Sequence, residues 1–575
     1  MYDVGQVISA QVLADIAQAD ALQRRDCFAR LKRYLERPAG KVMFLSGLRR
    51  TGKTILAKQG VAELPLALRE QAVFLKFPYS CAGIPKNECY ELIEDLYDQG
   101  YRYFFIDECT VVQEFPAWAK DIADGPAERG CHVVLLGTDS LAIWLAISNA
   151  LVGRYEAVKT TRIPFHEWCR LLKQPNQKLS VDDYMHYGGI LDFDGVPVET
   201  ALMPEITNSF RDPASIEQYV YAAIALNIQN AIARNAGGPE LSNLYRLWEN
   251  GLLIEAIMRI VQEQNHRLVR RNLQKRFAND DFFEAYKKIS SLDSGSRKYV
   301  KQQKEAILLE IEERLCLSHG GLELSKDDCI ALENYLRRID VFTDAEVRIM
   351  PSFDPEKRRT AKLYHKESRV LQTQCGIRSG QMQLACGLVW DILQVNRFPI
   401  EKGDFLRAVT SMVKGQLLED IVFADLMDVL PTDCHIFKLI WDADVAERAE
   451  FDVAIVDERD IDNPRVSLIE VKYSSGMHGN TTKHLKNPLA IHQVVEAFGK
   501  IASRAVVYNG PTKRNAVLFV NANEFLNTIC QNKEDAFFPQ LAERWKPECD
   551  LESWMAPYQA SDKKIVAYDE INTDQ

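Results

Sequence analysis

Two short stretches of this chain set residue types at spacings that chemistry can use. The first is "GLRRTGKT", Gly47 to Thr54, directly after the apolar "KVMFLS" and directly before the helical "ILAKQG". It fits G-x-x-x-x-G-K-T in the strand–loop–helix setting that separates a phosphate-binding loop from a chance match. Gly47 and Gly52 let the backbone curl, so that amides of the loop, Arg50 and Thr51 included, face phosphate oxygens. The helix N-terminus adds a favourable dipole. Lys53 would reach the β- and γ-phosphates of ATP, and Thr54 would ligate Mg²⁺. The second stretch is "SLIEVKYS", residues 467–474. Strand side chains alternate, so Glu470 and Lys472 share one side and Val471 takes the other. By itself such a pair usually means a salt bridge at a buried edge.

Further residues extend each site. "YRYFFIDEC" ends an apolar strand with Asp107, which would hold Mg²⁺ through water, and Glu108, which would polarise the attacking water. "VVLLGTDS" places Thr138 and Ser140 to sense the γ-phosphate, unless it is an ordinary strand-end turn. "LVGRYE" offers Arg154 as an arginine finger or as a surface salt bridge.

The elements that must position these residues follow from composition and pattern. At 575 residues, two to four domains are expected. The apolar share of 47% and charged share of 26% suit a globular protein. No apolar run approaches membrane-spanning length, and "MYDVGQVISA" lacks a signal-peptide pattern. Thirteen scattered cysteines without a C-x-x-C pair suit reduced thiols, which predicts a cytoplasmic protein with no membrane partner. A net charge of −11 argues against simple coating of nucleic acid, though local basic patches could bind it. Residues 1–40 read as a helical lead-in and 41–165 as a P-loop core of alternating strands and helices. Residues 166–240 read as a helical lid, and 241–410 as a helical and winged-helix-like region. An α/β pattern returns over 411–575. In "LSKDDCIALENYLRRIDVF", Ser325 reads as an N-cap, with Ile330, Tyr335, Leu336 and Ile339 following at helical spacing; plain helix packing would explain it as well.

"GLRRTGKT", "FFIDE", "LLGTDS", "LVGRYE", "IPFHEW" and "YGGI" occur in the order found in one family. The chain resembles prokaryotic AAA-type P-loop ATPases with a C-terminal restriction-endonuclease-like, PD-(D/E)xK-type domain of unknown function. The resemblance covers 41–230, weakens over 240–320, and resumes from "LENYLRRIDVF" onward. In the rear part, a helix with "GQLLED" carries Glu419, "AEFDVAIVD" carries Asp452, and Glu470 and Lys472 follow. Helix, three strands and helix, with Glu, Asp and Glu-x-Lys in that order, is the pattern of restriction-endonuclease-like folds. Asp452 and Glu470 would share one or two divalent cations, with the Val471 carbonyl as a further ligand. Hard oxygen ligands favour Mg²⁺ or Mn²⁺. Lys472 would orient the attacking water or offset phosphate charge. Glu419 would reach the metal through water, and Gln493 would be a polar helper on the following helix.

Two basic stretches, "HRLVRRNLQKR" (266–276) and "PEKRRTAK" (355–362), could track phosphates or be solvated faces. Together these readings predict a Mg-dependent ATPase coupled to a nuclease-like domain that acts on DNA. The rival is an ATP-dependent switch that binds or remodels nucleic acid or protein without cutting. A protein partner and a homo-oligomer stay open.

Overall fold

In this computed structural model the described residues are 3–6, 10–77, 83–138, 140–172, 179–191, 217–234, 241–278, 324–350, 364–395, 402–441, 450–476, 482–514 and 517–529, with a few positions between 306 and 322. Two compact units result: 1–343 with 372–409, and 344–371 with 410–575.

The front unit holds a six-stranded sheet. Its strands are β1 (Asp3–Gln6), β2 (Val42–Ser46), β3 (Ala72–Lys76), β4 (Tyr103–Asp107), β5 (His132–Gly137) and β6 (Tyr155–Lys159). Their order is β1-β3-β4-β5-β2-β6, parallel from β3 to β6, with β1 antiparallel at the edge. The strands read as nearly continuous apolar runs because both faces are covered. Val42, Phe44, Val133 and Leu135 turn to one face, against Phe115, Trp118 and Ile143. Met43, Leu45, Val134 and Leu136 turn to the other, against Leu31, Leu56 and Val61. The result is a mixed α/β fold of three layers. Since β5 lies between β2 and β4, the ends of all three converge at one rim, and they carry Gly47, Thr138 and Asp107.

The rear unit holds an eight-stranded sheet of order β13-β14-β12-β11-β10-β9-β7-β8. Its strands are β7 (Phe342–Met350), β8 (His365–Gln372), β9 (Cys434–Trp441), β10 (Glu450–Asp457), β11 (Arg465–Lys472), β12 (Lys500–Tyr508), β13 (Lys513–Arg514) and β14 (Leu518–Asn521). Pairs β9/β10 and β10/β11 are antiparallel, and β11/β12 is parallel. The helix Pro488–Phe498 covers one face through Ala490, Ile491 and Val494, which meet Phe437, Leu439, Ala454 and Leu468.

The sequence reading placed 342–372 in a helical and winged-helix-like region. The structure instead forms β7 and β8 there, and β7 pairs in parallel with β9. A helix does run from Lys326 to Arg338, and the Ser325 hydroxyl caps it by accepting from the Asp328 amide at 3.1 Å. Tyr335, Leu336 and Ile339 are buried, but Ile330 is exposed. Among the described residues no helix is long and apolar enough to cross a membrane.

Candidate functional sites

The loop after β2 is held from outside by its carbonyls. The Tyr219 hydroxyl donates to the Arg49 carbonyl at 2.9 Å, the Leu191 amide to that of Arg50 at 2.7 Å, and the Arg25 guanidinium to that of Thr51 at 2.6 Å. A trans peptide points its N–H away from its C=O. Pinning three successive carbonyls therefore turns the amides of Arg50, Thr51 and Gly52 the other way, as an anion nest requires. Gly47 has φ +151°, and a Cβ there would come within 2.4 Å of Thr160 Oγ1. Gly52 (φ +84°) is left-handed and precedes the helix Lys53–Glu63; Arg50 (φ +63°) is left-handed too, without a glycine's freedom. The Thr51 hydroxyl turns inward to Thr160 Oγ1 and the Leu48 carbonyl, so this residue can offer a ligand only its backbone.

Lys53 is buried. Its Nζ donates to the carbonyls of Gly47 at 2.8 Å and Leu48 at 2.7 Å. Burial lowers its pKa to about 8 against the opposing pull of Glu108 and Asp107. Thr54 Oγ1 donates to Asp107 Oδ2 at 2.8 Å, which makes a pair of hard oxygens suited to Mg²⁺. Glu108 follows β4 in a left-handed conformation (φ 53°), and Thr138 Oγ1 donates to its Oε2 at 3.3 Å. Burial, with Asp107 beside it, raises the Glu108 pKa. Ser140 begins the helix Ser140–Asn149, and its side chain lies outside the described residues.

Arg154 departs from expectation. Its carbonyl accepts from the amide of Val42, the first residue of β2, whereas the loop follows the last. Arg154 thus stands at the opposite end of the sheet, ion-paired with Asp124. It is not a residue of this chain's own nucleotide site.

Sequence reading missed Arg25. Its guanidinium is buried, donates to Glu167 Oε1 at 2.5 Å, and also reaches the carbonyls of Thr51, Thr160 and Arg162. Its partners lie up to 142 positions away, so no local pattern announces it.

In the rear unit β10 carries a bulge: Phe451 pairs with Leu439 and Ala454 with Phe437, so one extra residue sits between. Bulges re-aim side chains, and Asp452 lies in this one. Asp452 Oδ2 accepts from the Val471 amide at 2.8 Å and from Lys472 Nζ at 3.3 Å. Lys472 Nζ also lies 2.8 Å from Glu470 Oε2. Asp452, Glu470 and Lys472 are therefore one cluster. Around it stand side chains that the sequence reading missed. Lys438 Nζ lies 2.8 Å from Glu419 Oε1, 2.6 Å from Glu450 Oε1 and 3.6 Å from Asp452 Oδ1. Arg369 reaches Glu419 Oε1 at 2.8 Å and Asp420 Oδ1 at 2.9 Å.

Burial pushes the Asp452 carboxyl up to about 6; Lys472 opposes this, while Glu470 and Glu419 add to it. Burial acts the same way on Glu419, but Lys438 and Arg369 overcome it and hold that carboxyl at about 2. Glu419, expected to reach a metal through water, is thus engaged by two of the protein's own cations. Gln493 accepts from the Trp441 indole N–H.

Among the described residues no three His, Cys, Asp or Glu side chains converge as a ready metal-ligand set. Asp452 and Glu470 nevertheless have the chemistry for one hard cation. Glu470 Oε1 is buried and takes no hydrogen bond. His484 Nδ1 stands 3.5 Å from it, and this carboxylate, ahead of the main chain of Glu450 that also engages the ring, raises the His484 pKa.

Of the basic stripe, the helix Leu253–Ala278 carries the backbone. Arg267 pairs with Glu263 at 2.8 Å. The side chains of Arg270, Arg271 and Lys275, and all of 355–362, lie outside the described residues.

The loop, the paired Thr54 and Asp107, and the strand order define a P-loop nucleotide-binding domain. Residues 39–169 match the family model of the AAA domain. This part of the chain is an AAA P-loop ATPase domain, which implies ATP and Mg²⁺. No curated protein matches the chain. Two solved structures are similar at a low level. One is the Aeropyrum pernix ORC1 protein in complex with DNA: 12% identity, TM-score 0.22, covering 63% of this chain and 94% of that one. The other is the S. cerevisiae Hsp104–ADP complex: 14% identity, TM-score 0.23, covering 73% of this chain and 58% of that one. Both superpositions are poor, so the assignment rests on residues 39–169.

Proposed function

We propose that this chain is an ATP-regulated, metal-dependent DNA nuclease, with the ATPase domain in front and a restriction-endonuclease-like domain behind. The observation that carries the reading is the joining of Asp452, Glu470 and Lys472 by one ammonium, at 3.3 and 2.8 Å, on neighbouring strands. Asp452 and Glu470 would hold Mg²⁺ or Mn²⁺, which when bound supplies an acidified water and charge stabilisation. Lys472 would orient the water toward the phosphodiester and offset charge on the phosphate. In front, Lys53 and the loop amides would hold the ATP phosphates, Thr54 and Asp107 the Mg²⁺, and Glu108 the attacking water, with Thr138 fixing its carboxylate. DNA is the partner, the setting is cytoplasmic, and Arg154 acts on a neighbouring copy.

With ATP and Mg²⁺ or Mn²⁺, the protein is expected to cut linear, branched or single-stranded DNA. Asp452→Ala or Lys472→Ala should lower cutting on the order of 10²–10³-fold and leave the ATPase rate alone. The ammonium bridges across the rear carboxylates favour a second reading, a non-cleaving switch. ATP-dependent DNA binding with no cleavage of any substrate would select it.

Lys53 makes ATP affinity depend on pH. The free site holds its pKa at about 8, and phosphate charge beside the ammonium raises it in the complex. A group whose pKa rises on binding favours the complex fully below its free value. That advantage is lost as pH climbs toward the bound value. ATP affinity should be flat below pH 7 and weaken above 8 by up to about tenfold per unit. Lys53→Ala should abolish binding, and Lys53→Arg should flatten the profile. A Kd constant from pH 7 to 9.5 in the unsubstituted protein would refute this role.

A further inference from the structure

Two arginines of the front unit that could serve phosphate chemistry are already committed. Arg25 is buried against Glu167, and Arg154 is paired with Asp124 at the other end of the sheet. Arg49 differs from both. It lies within the phosphate loop, between Gly47 and Lys53. Tyr219 holds its carbonyl from outside at 2.9 Å, and its side chain is half-buried. Among the described residues its guanidinium forms no ion pair, and its one hydrogen bond, to Asn227 Oδ1, is long at 3.5 Å. Asn227 is itself fixed: it is buried on the helix Leu226–Arg234 and donates to the Ala223 carbonyl at 2.9 Å. The long bond is one that a phosphate oxygen can replace.

The charge of this guanidinium is felt on both sides of the place a terminal phosphate must occupy. Lys53 reaches for the β- and γ-phosphates, and Glu108 for the attacking water. Burial lowers the Lys53 pKa, Glu108 and Asp107 oppose this, and Arg49 adds to the lowering. Burial and Asp107 raise the Glu108 pKa, and Lys53 and Arg49 pull it back. A cation close enough to act on both groups stands beside the gap between them. A guanidinium also offers phosphate oxygens two parallel donors.

We propose that Arg49 donates to the γ-phosphate of ATP bound in its own chain, and so supplies from within the loop a cation for phosphoryl transfer. This rests on the ATPase assignment of the front domain and adds a residue to its site. In the reaction the water oxygen bonds to the γ-phosphorus as the bond to the β–γ bridging oxygen breaks. The water's proton passes to Glu108, and ADP leaves with the electron pair. The Arg49 guanidinium offsets the charge on the γ-phosphoryl oxygens while this happens.

The test uses full-length protein and reads hydrolysis together with the Kd of ADP and of a β,γ-imido analogue of ATP. Arg49→Gln should lower kcat by about 10²–10³-fold. It should weaken the analogue about tenfold more than ADP, because only the analogue has a third phosphoryl group to lose a charge-assisted hydrogen bond. With a neighbouring cation gone, the Lys53 pKa rises, so the loss of analogue affinity should set in at higher pH than the value near 8 of the unsubstituted site. Arg49→Lys keeps the charge and therefore that threshold, but lacks the planar fork, so kcat should still fall about tenfold. An unchanged kcat in either variant would overturn the proposal while the ATPase assignment stands. Equal weakening of analogue and ADP would make Arg49 a support of the loop and overturn it too. No hydrolysis by the unsubstituted protein would remove both. If Arg49→Gln does not fold, the kcat of Arg49→Lys decides.

Discussion

Glu108→Gln is expected to slow ATP hydrolysis by about 10²–10⁴-fold and leave ATP binding nearly unchanged. The residue sits in a left-handed backbone conformation (φ 53°) at the end of β4, which costs a non-glycine residue on the order of 1–3 kcal/mol. Its carboxylate is aimed by Thr138 at 3.3 Å. Burial and the neighbouring Asp107 raise its pKa, which makes it a stronger base than a free glutamate. Glutamine keeps the shape and can still accept from Thr138, but cannot take a proton from water. Lys53, Thr54 and Asp107 stay in place, so the loss should fall on kcat, with ATP affinity preserved. Turnover of the variant at the unsubstituted rate would show that another group activates the water.

Arg25→Ala should lower stability by about 3–5 kcal/mol, the usual cost of breaking one side of a buried ion pair. Arg25 and Glu167 are both buried, and their contact is 2.5 Å. Losing the guanidinium leaves the Glu167 carboxylate with the Asp26 amide at 2.8 Å as its remaining hydrogen bond in this group. It also frees the carbonyls of Thr51, Thr160 and Arg162. Because Thr51 belongs to the phosphate loop, ATP affinity should fall with stability. Denaturant unfolding, followed together with binding of a fluorescent ATP analogue, measures both. A loss below about 1 kcal/mol would place this pair among ordinary surface bridges.

Sequence showed the parts of the site that are local. The loop needs two glycines, a lysine and a threonine within eight positions, and the strand before it is a run of apolar residues. That spacing survives without knowledge of the fold. Arg154 shows the limit. "LVGRYE" follows the loop in chain order, but parallel pairing of β6 with β2 puts the start of β6 at the far rim. Only the register reveals this. In the rear unit the chemistry of Asp452, Glu470 and Lys472 could be read as types in order. The bulge that re-aims Asp452 depends on how β10 pairs with β9. Lys438 and Arg369 come from other strands and look like ordinary charges in the text. The strand β7 did leave a signal, apolar and polar residue types alternating from Ala345 through Glu346, Val347 and Arg348 to Ile349, although in the fold Arg348 is buried and Ile349 less so. Its neighbour, a strong helix capped at Ser325, drew the region toward a helical reading.

The interleaved layout of the two units bears on how the molecule is made on a ribosome. The front unit needs residues 372–409, and the rear unit needs 344–371 as well as 410–575. No single cut in the chain separates them. During synthesis at about 5–20 residues per second, β7 emerges before its partner β9 exists, so its edge stays open for seconds, a state that invites foreign strands. A fragment beginning at 410 would also lack Arg369, and with it the guanidinium that neutralises Glu419. Its carboxylates would repel one another more than those of the whole chain.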